Sequence, residues 1–434
     1  MDKMADVLGR AGAWCGQNKY LSAIKNAFQN FMPLTIAGAI GVLWCNVLVN
    51  DQTGLGLFFK PIMALDFLNP AFQAVNFCTI SCITVGITLG IAQEIGVWNM
   101  GAERAGYIPG LVGLAAWLSV TNTSHMVEGA KEAFTGIAGN ELGATGLFTG
   151  MIIGVLSVEL FCFFEKQDAL KIKMPEQVPP GVARAFEVLV PATITLIITA
   201  CIGSACYNLT GLYLNDVIKN GIQGPLGAVG ATIPGVMIIY LVIMLFWLVG
   251  IHGNNMLSAV KEALFTPLAL ENVEKFNKGE KPTNIINMYA LQMWGEFGGS
   301  GVTIGLVIAI MIFGKREDNK AIATLSLVPG LFNINETVTF GIPMVLNPIL
   351  GIPFVVAPLI TIIIVYVLTV IGFCPVACLT VPWTTPPIVF GFLACGANVM
   401  GAVTQAILIV VSTVIYTPFL ISYEKYQNKQ AAEA

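Results

Sequence analysis

Long apolar segments alternate with short polar ones along most of the 434-residue chain. A helix needs about 20 mostly apolar residues to cross the hydrocarbon core of a bilayer, so segments near this length predict membrane-spanning helices. They cover residues 31–49, 75–91, 107–120, 146–164, 188–207, 233–250, 302–313, 349–373 and 402–420. The pattern predicts an all-α polytopic membrane protein with about ten transmembrane helices.

Hydropathy becomes irregular at two places in the second half of the chain. Residues 252–300 mix short apolar stretches with a charged segment at 271–281, which we interpret as a loop, and with MWGEFGGS at 293–300. Residues 374–395 include VPWTTPP at 381–387, whose prolines interrupt a continuous helix. Irregular backbone is tolerated at membrane depth only where protein or water satisfies it. We therefore predict re-entrant segments at both places.

The composition supports a membrane protein and excludes some functions. Apolar residues make up 56% of the chain and charged residues 11%, whereas soluble domains have about 25% charged residues. The net charge is −4, and the sequence shows no stripe of basic residues, so a nucleic-acid partner is not expected. The ten cysteines lie mostly in apolar runs and lack a zinc-like spacing, so we expect no metal site and no cofactor.

The first 27 residues are polar and contain Lys3, Arg10, Lys19 and Lys25. Because they include no apolar core segment, we expect no cleavable signal peptide. The leader is typical of an amphipathic cytoplasmic segment, and the positive-inside rule then places the N-terminus in the cytoplasm. An even number of spans would place the C-terminus there as well.

Two polar segments agree with this orientation. The loop between the third and fourth predicted spans has more acid than base, and we place it outside. Its charged residues include Glu128, Lys131, Glu132 and Glu141. The linker at residues 165–187 is the longest basic one, and we place it inside. This linker is the candidate boundary between two parts of the chain, residues 1–187 and 188–434.

The segment LFNINETVTFGIPMVLNP, residues 331–348, contains the foremost candidate site residue. Glu336 lies there among the amides of Asn333, Asn335 and Asn347. An ionised carboxylate at membrane depth costs several kcal/mol unless it is paired or faces a polar cavity. Glu336 is therefore a functional-site candidate, and the alternative is a structural carboxylate that ties two broken helices together.

The chain has two histidines, and they differ in context. His252 follows an apolar span, has glycines on both sides and precedes Asn254, so a ligand or backbone can approach it closely. The alternative is a polar helix terminus. His125 lies in the TNTSH loop, where we expect a loop residue at the membrane surface.

Two further residues complete the candidate set. Glu296 lies in the glycine-rich sequence GEFGGSG and belongs either to a binding site or to a solvated loop. Trp383, fixed between a proline and a threonine, is either a belt or core residue or offers a ring face to the C–H patches of a sugar. Sugar hydroxyls need amides and carboxylates, which Asn333, Asn335 and Glu336 supply. A P-loop, a GxSxG elbow and an HExxH motif are absent from the sequence.

These motifs carry a family resemblance. GIHGNN at 250–255 and GLFNINETVTFGIPMVLNP at 330–348 resemble the membrane (C) component of the phosphoenolpyruvate-dependent sugar phosphotransferase system, in its lactose, cellobiose and diacetylchitobiose branch. Other segments follow the family's order: KNAFQNFMPLTIAGAI, FTPLALEN, GGSGVTIGL and VPWTTPP. Thr337 departs from the proline that the family commonly has after the glutamate, and residues 122–141 match poorly.

The resemblance implies a specific architecture and activity. It implies ten transmembrane helices with two re-entrant hairpins in the C-terminal half, and an elevator-type transporter in the bacterial cytoplasmic membrane. Residues 1–187 would form a scaffold and a homodimer, and residues 188–434 would hold one sugar, which we expect to be a β-linked disaccharide. Phosphorylation would require a separate cytoplasmic phosphocysteine B subunit and its A subunit, so this chain is a permease subunit of a phosphotransferase.

The resemblance also assigns roles to residues. His252 and Glu336 are expected to bind the sugar 6-hydroxyl that becomes phosphorylated. The predicted substrate-binding residues are Asn254, Glu296, Asn333, Asn335 and Trp383.

Two other functions remain open on the sequence. The first is a proton-coupled secondary sugar transporter with Glu336 as its protonating acid. The second is a membrane sensor or assembly subunit, which would need no sugar-sized cavity. The energy source separates the first of these from a phosphotransferase permease.

Overall fold

The computed structural model describes residues 10, 14, 17–51, 55–125, 134–175, 177–342, 344–345 and 347–433. Most of the predicted leader, including Lys3, lies outside the described residues, as do Glu128, Lys131 and Glu132 of the predicted outer loop. The described chain is mostly helical, which confirms the all-α class. The strands found in that part of the chain are the short antiparallel pair Ser124–His125 and Phe134–Thr135.

The α-helices follow the hydropathy pattern closely. In chain order they are Lys19–Leu43, Leu55–Phe58, Asn69–Asn76, Ile83–Met100, Ala102–Ala105, Ile108–Val120, Gly139–Leu142, Ala144–Glu165, Pro180–Thr210, Leu214–Ile218, Gly224–Gly230, Ile233–Leu248, Gly253–Asn277, Met288–Gly295, Ile304–Phe313, Glu317–Leu331, Glu336–Gly341, Gly351–Val370, Val389–Ala394 and Val399–Glu433. Short 3-10 helices cover Lys60–Leu68, Asp168–Leu170 and Ser300–Val302, and π-helical turns cover Trp44–Leu48, Phe77–Ser81 and Lys219–Gln223.

Within the described ranges, five helices are long and apolar enough to cross a membrane. Two bent pairs raise the number to seven if each pair is one span: Lys60–Ser81 with Ile83–Met100, bent by 42°, and Met288–Val302 with Ile304–Phe313, bent by 57°. Two apolar helices in the described ranges, Ile108–Val120 and Ile233–Leu248, are shorter than this length. The 57° bend lies at the end of the first segment predicted to be re-entrant.

One predicted loop is helical. Residues 271–281 were expected to form a charged loop, but the helix Gly253–Asn277 continues through most of them. The charged residues there are strong helix formers, and the Glu274 carboxylate pairs with the Lys278 ammonium at 2.7 Å, one helical turn apart. The fall in hydropathy marks where the apolar part of this helix ends, whereas the helix itself continues to Asn277.

The chain forms two compact units. The smaller one consists of Gln17–Gly38 and Ala74–Ala228. Its core contains the fully buried Trp117, which packs with Ala116, Val120 and Ile153. Here Gly113 allows the helices Ile108–Val120 and Ile83–Met100 to approach closely, since a Cβ at Gly113 would lie 2.3 Å from the Cβ of Ala92.

The larger unit contains Ala39–Gln73 and Val229–Ala434, and it includes all seven predicted site residues. Its last helix, Val399–Glu433, anchors the irregular segments of this unit through side-chain bonds to their backbone. Gln405 Oε1 accepts the Gly391 N–H at 2.7 Å, the Tyr416 hydroxyl donates to the Gly301 carbonyl at 2.8 Å, and Glu424 Oε2 accepts the Lys315 N–H at 2.8 Å. These bonds satisfy backbone groups that no helix pairs.

Candidate functional site

His252 lies at the N-terminal cap of the helix Gly253–Asn277. Its Nδ1 accepts the backbone N–H of Asn255 at 3.3 Å, which satisfies one of the free donors at the helix start. An accepting Nδ1 places the proton of the neutral ring on Nε2. The ring packs against Trp247, with centroids 4.4 Å apart, so the imidazole is held in orientation with a donor at its outer edge.

Glu336 faces this donor. It begins the short helix Glu336–Gly341, and its Oε1 lies 3.9 Å from His252 Nε2. The two side chains are 38% and 47% exposed, so both are accessible to a ligand. The structure therefore brings together the two residues that the sequence placed in one site.

The separation of 3.9 Å is too long for a direct hydrogen bond. A hydroxyl oxygen at about 2.8 Å from both atoms would lie beside the pair, about 2 Å off the line that joins them. Such an oxygen would accept from His252 Nε2–H and donate to the Glu336 carboxylate. This arrangement suits an alcohol group that must lose its proton.

Asn254 offers a second polar group. Its Nδ2 donates to Ser300 Oγ at 2.9 Å, which fixes the amide. Its Oδ1 is buried and has no hydrogen-bond partner among the described residues. Buried polar atoms are nearly always satisfied in native proteins, so this oxygen lacks the partner that such an atom normally has.

Asn333 ties three chain segments together. Its Oδ1 accepts the Gly298 N–H at 2.6 Å, and its Nδ2 donates to the carbonyls of Trp383 and Thr385. The residue has φ +63, in the left-handed region, which asparagine tolerates better than most residues. All the hydrogen-bonding atoms of this amide contact protein groups.

Asn335 is also engaged by the protein. It is buried, and its Nδ2 donates to the Ser300 carbonyl at 2.8 Å and to Thr339 Oγ1 at 3.2 Å. Gly299 makes this packing possible. A Cβ at Gly299 would lie 2.5 Å from the Asn335 Cβ, and its φ of +89 is one that L side chains rarely adopt.

Trp383 lies in the non-helical segment between the helices Gly351–Val370 and Val389–Ala394. Its side chain is 45% exposed, unlike the buried Trp117, Trp247 and Trp294. The hydrogen bond from Asn333 to its carbonyl fixes this segment to the chain immediately before Glu336. The half-exposed ring of Trp383 is therefore attached, through Asn333, to the segment that carries the Glu336 carboxylate.

Glu296 does not lie in a solvated loop. Its Oε1 accepts the Tyr240 hydroxyl at 2.7 Å and forms an ion pair with the Lys261 ammonium. Lys261 is almost fully buried, and Glu296 is largely buried. The alternative of a solvated carboxylate was wrong, because Glu296 pairs with a buried cation 35 residues earlier in the chain.

Sequence reasoning missed Tyr240, Lys261 and Ser300. A signal existed for Lys261, which with Glu262 forms a pair of charged residues within the mostly apolar stretch SAVKEALF at 258–265. A cation in such a stretch is expected to have a buried partner. Nothing local distinguishes Tyr240 within its apolar helix or Ser300 within its glycine-rich turn.

The other polar candidates have local roles. Asn347 Oδ1 accepts the N–H groups of Ile349 and Leu350, both at 2.9 Å. His125 lies in the short strand Ser124–His125, with its ring 5.6 Å from that of Phe134. Among the described residues, no group of three or more histidine, cysteine, aspartate and glutamate side chains could hold a metal ion.

Comparison with known proteins gives consistent results. The profile of the family described as "Phosphotransferase system, EIIC" matches residues 25–358. The chain is 32% identical to the oligo-beta-mannoside-specific EIIC component of Bacillus subtilis (strain 168), over 98% of this chain and 94% of that protein. It is 30% identical to the cellobiose-specific EIIC component of Lactococcus lactis subsp. lactis (strain IL1403), over 98% of each.

A solved structure shares the fold. The crystal structure of ChbC, the IIC component of the N,N'-diacetylchitobiose-specific phosphotransferase system, superposes with a TM-score of 0.88 and 29% sequence identity. The match covers 97% of each chain. The resemblance predicted from the sequence motifs is confirmed: this chain belongs to the EIIC family and is a membrane-spanning sugar permease of the phosphotransferase system.

Proposed function

We propose that this permease carries a β-linked disaccharide and presents its 6-hydroxyl, between His252 and Glu336, to a phosphorylated B subunit. The observation that carries this proposal is the 3.9 Å gap between His252 Nε2 and Glu336 Oε1, with both groups half-exposed. A single hydroxyl oxygen beside that gap can hydrogen-bond both groups. A carboxylate acting alone as a proton carrier would not need a histidine donor aimed at the same point.

The chemistry follows from this geometry. Phosphoryl transfer has a loose transition state, so catalysis consists mainly of positioning and charge stabilisation. The sugar oxygen attacks the phosphorus of the phosphocysteine, the S–P bond breaks, and the thiolate leaves. Glu336 accepts the hydroxyl proton, while His252 Nε2–H holds the oxygen in line. The phosphorylated sugar carries about −1.5 to −2 charges at neutral pH, which retains it in the cell.

The remaining predicted residues divide into two groups in this proposal. Asn254, whose side chain is partly exposed, and Trp383, with its exposed ring face, contact the sugar. Asn333 and Asn335 bond to protein groups through their amides, so they serve the sugar site chiefly by shaping it. Glu296 Oε1 already accepts a hydrogen bond from the Tyr240 hydroxyl. In this proposal Glu296 lies at the border of the sugar site, in the turn that follows the helix Met288–Gly295.

The names of relatives support a β-linked disaccharide. They include an oligo-beta-mannoside permease, a cellobiose permease and a diacetylchitobiose permease. Lactose-specific relatives that match this chain are EIICB components, in which the C and B parts form one protein. We propose that the donor here is a cytoplasmic phosphocysteine B subunit, which an A subunit rephosphorylates.

The membrane arrangement is also a proposal. We place the protein in the bacterial cytoplasmic membrane with both termini inside, and we retain residues 1–187 as scaffold and homodimer surface and 188–434 as the moving, sugar-binding part. The polar, basic leader and linker support the orientation. Thiol labelling of single-cysteine variants in intact cells, with sites at both termini, would contradict it if either terminus reacted with an impermeant reagent.

The test of the proposed function is the energy source. Inverted membrane vesicles should phosphorylate cellobiose or another β-linked disaccharide when supplied with phosphoenolpyruvate and a cytosolic extract. An extract from cells lacking the A and B subunits is the control, and it should give no product. Uptake of unmodified sugar that needs no phosphoenolpyruvate and collapses with the proton gradient would instead indicate the secondary transporter.

We expect Trp383→Ala to weaken disaccharide binding by about 10-fold or more, equivalent to about 1.4 kcal/mol, because the sugar loses the aromatic face on which its C–H groups pack. Trp383→Phe should retain most of the affinity. Isothermal titration calorimetry on the purified protein measures both values. Trp98→Ala removes another exposed tryptophan, in the smaller unit, and should leave the affinity unchanged. Equal affinities for Trp383→Ala and the parent would contradict the contact.

A further inference from the structure

The ion pair between Lys261 and Glu296 is not explained by sugar binding. Lys261 lies on the helix Gly253–Asn277, and its side chain is only 4% exposed. Its ammonium lies 5.7 Å from the centroid of the Tyr240 ring, and the Tyr240 hydroxyl donates to the same carboxylate oxygen, Glu296 Oε1. Lys261 therefore has no surface to offer a sugar.

A buried ion pair is costly to form, and an apolar pair of similar size often stabilises a fold as well or better. The presence of such a pair next to the reaction site is thus poorly explained by stability alone. Buried polar pairs are known to fix register between packed elements. The question is which elements this pair fixes relative to each other.

One side of the pair leads to His252. The helix that carries Lys261 begins directly after His252, whose Nδ1 caps it. Because an α-helix is stiff over this length, the position of Lys261 determines the position of the helix start. A displacement of Lys261 would move His252.

The other side of the pair leads to Glu336. The Glu296 carbonyl accepts the Gly299 N–H at 3.0 Å, which closes the turn that follows the helix Met288–Gly295. The same turn holds the segment before Glu336. The Gly298 N–H donates a hydrogen bond to Asn333 Oδ1, and the Ser300 carbonyl accepts one from Asn335 Nδ2. A displacement of Glu296 would therefore move Glu336.

We propose that Lys261 is a positioning residue, which acts through Glu296 to set the spacing between His252 and Glu336. The inference rests on the proposed function of that pair. It assigns Glu296 to the framework of the site, with Tyr240 as the second donor that orients its carboxylate. Neither Lys261 nor Glu296 needs to contact the sugar, so their loss should affect turnover more than sugar affinity.

The experiment compares Lys261→Met with the parent in the phosphoenolpyruvate-driven vesicle assay and by calorimetry. We expect kcat to fall at least 10-fold, because the 6-hydroxyl no longer meets both groups, while the dissociation constant for the disaccharide changes less than 3-fold. Lys278→Met is the matched control at the C-terminal cap of the same helix. It removes a lysine from an exposed pair with Glu274 and should change neither value.

Two double variants separate positioning from folding. The charge swap Lys261→Glu/Glu296→Lys keeps the ion pair and should recover at least 10-fold of the kcat that Lys261→Glu alone loses. The apolar pair Lys261→Met/Glu296→Leu removes both buried charges, so it should fold and bind the sugar yet keep a low kcat. If Lys261→Met does not accumulate, these two variants provide the same comparison.

Several outcomes would overturn the proposal. They are a parent-like kcat in Lys261→Met or in the apolar pair, a rise in KM with unchanged kcat, and failure of every variant without the ion pair to fold. Glu336→Gln, assayed in parallel, separates the two hypotheses. An active Glu336→Gln refutes the proposed function itself, whereas an inactive Glu336→Gln beside a fully active Lys261→Met refutes only the positioning role.

Discussion

Glu336→Gln should bind the disaccharide with nearly parental affinity and lose its phosphorylation by a factor of about 10² to 10⁴, the range typical of general base catalysis. The amide keeps the size of the side chain and can still hydrogen-bond a hydroxyl, but it cannot accept the proton. The vesicle assay with phosphoenolpyruvate measures phosphorylation, and calorimetry on the purified protein measures binding.

The control for this variant is Glu317→Gln. Glu317 begins the helix Glu317–Leu331, has a side chain that is 87% exposed, and pairs with the nearby Lys320 at 3.1 Å. Removal of its charge should leave both binding and phosphorylation unchanged. Phosphorylation by Glu336→Gln at the parental rate would show that the carboxylate is not the base. Loss of sugar binding would show that the charge of Glu336 is needed for binding, before phosphoryl transfer.

Gly299→Ala should destabilise the larger unit and abolish sugar binding in the fraction that still folds. The backbone at Gly299 has φ +89 and ψ 179, a region that costs other residues about 1–3 kcal/mol. The added Cβ would also lie 2.5 Å from the Asn335 Cβ, in the segment that precedes Glu336. Thermal unfolding in detergent and calorimetric sugar binding measure the two effects.

Gly279→Ala is the matched control. Gly279 also has a positive φ, +72, but a Cβ there would meet no atom within 4 Å. It should show only the cost of a left-handed residue, about 1–2 kcal/mol, and bind sugar normally. If the two variants unfold at the same temperature and bind sugar equally, then Asn335 is not packed against Gly299 in the way described.

The transmembrane helices were predictable because their signal is local. The fourth predicted span, residues 146–164, corresponds to the helix Ala144–Glu165, and the third, residues 107–120, to Ile108–Val120. Apolar length alone specifies such helices in a bilayer. The same signal failed at residues 271–281, because a helix that leaves its apolar environment keeps its backbone hydrogen bonds while its hydropathy falls.

The candidate site was only partly predictable. His252 and Glu336 stood out because each is a polar group in an apolar setting that makes it expensive without a function. The packing role of Asn333 and Asn335 was not visible, since their partners are backbone groups of the distant turn at Gly298 and Ser300. A sequence shows that an amide is present but not which donors and acceptors surround it.

The sequence by itself determined the membrane location, the helical class, the family and the two residues on which the proposed chemistry depends. Each of these follows from apolar length or from motifs confined to a few neighbouring residues. Only the tertiary structure decided that His252 Nε2 and Glu336 Oε1 lie 3.9 Å apart, and that Glu296 pairs with Lys261, 35 residues away. Such distances depend on how helices pack and where turns bend, and a bilayer gives apolar faces little preference among partners. Specific polar contacts such as these therefore set the geometry of the site.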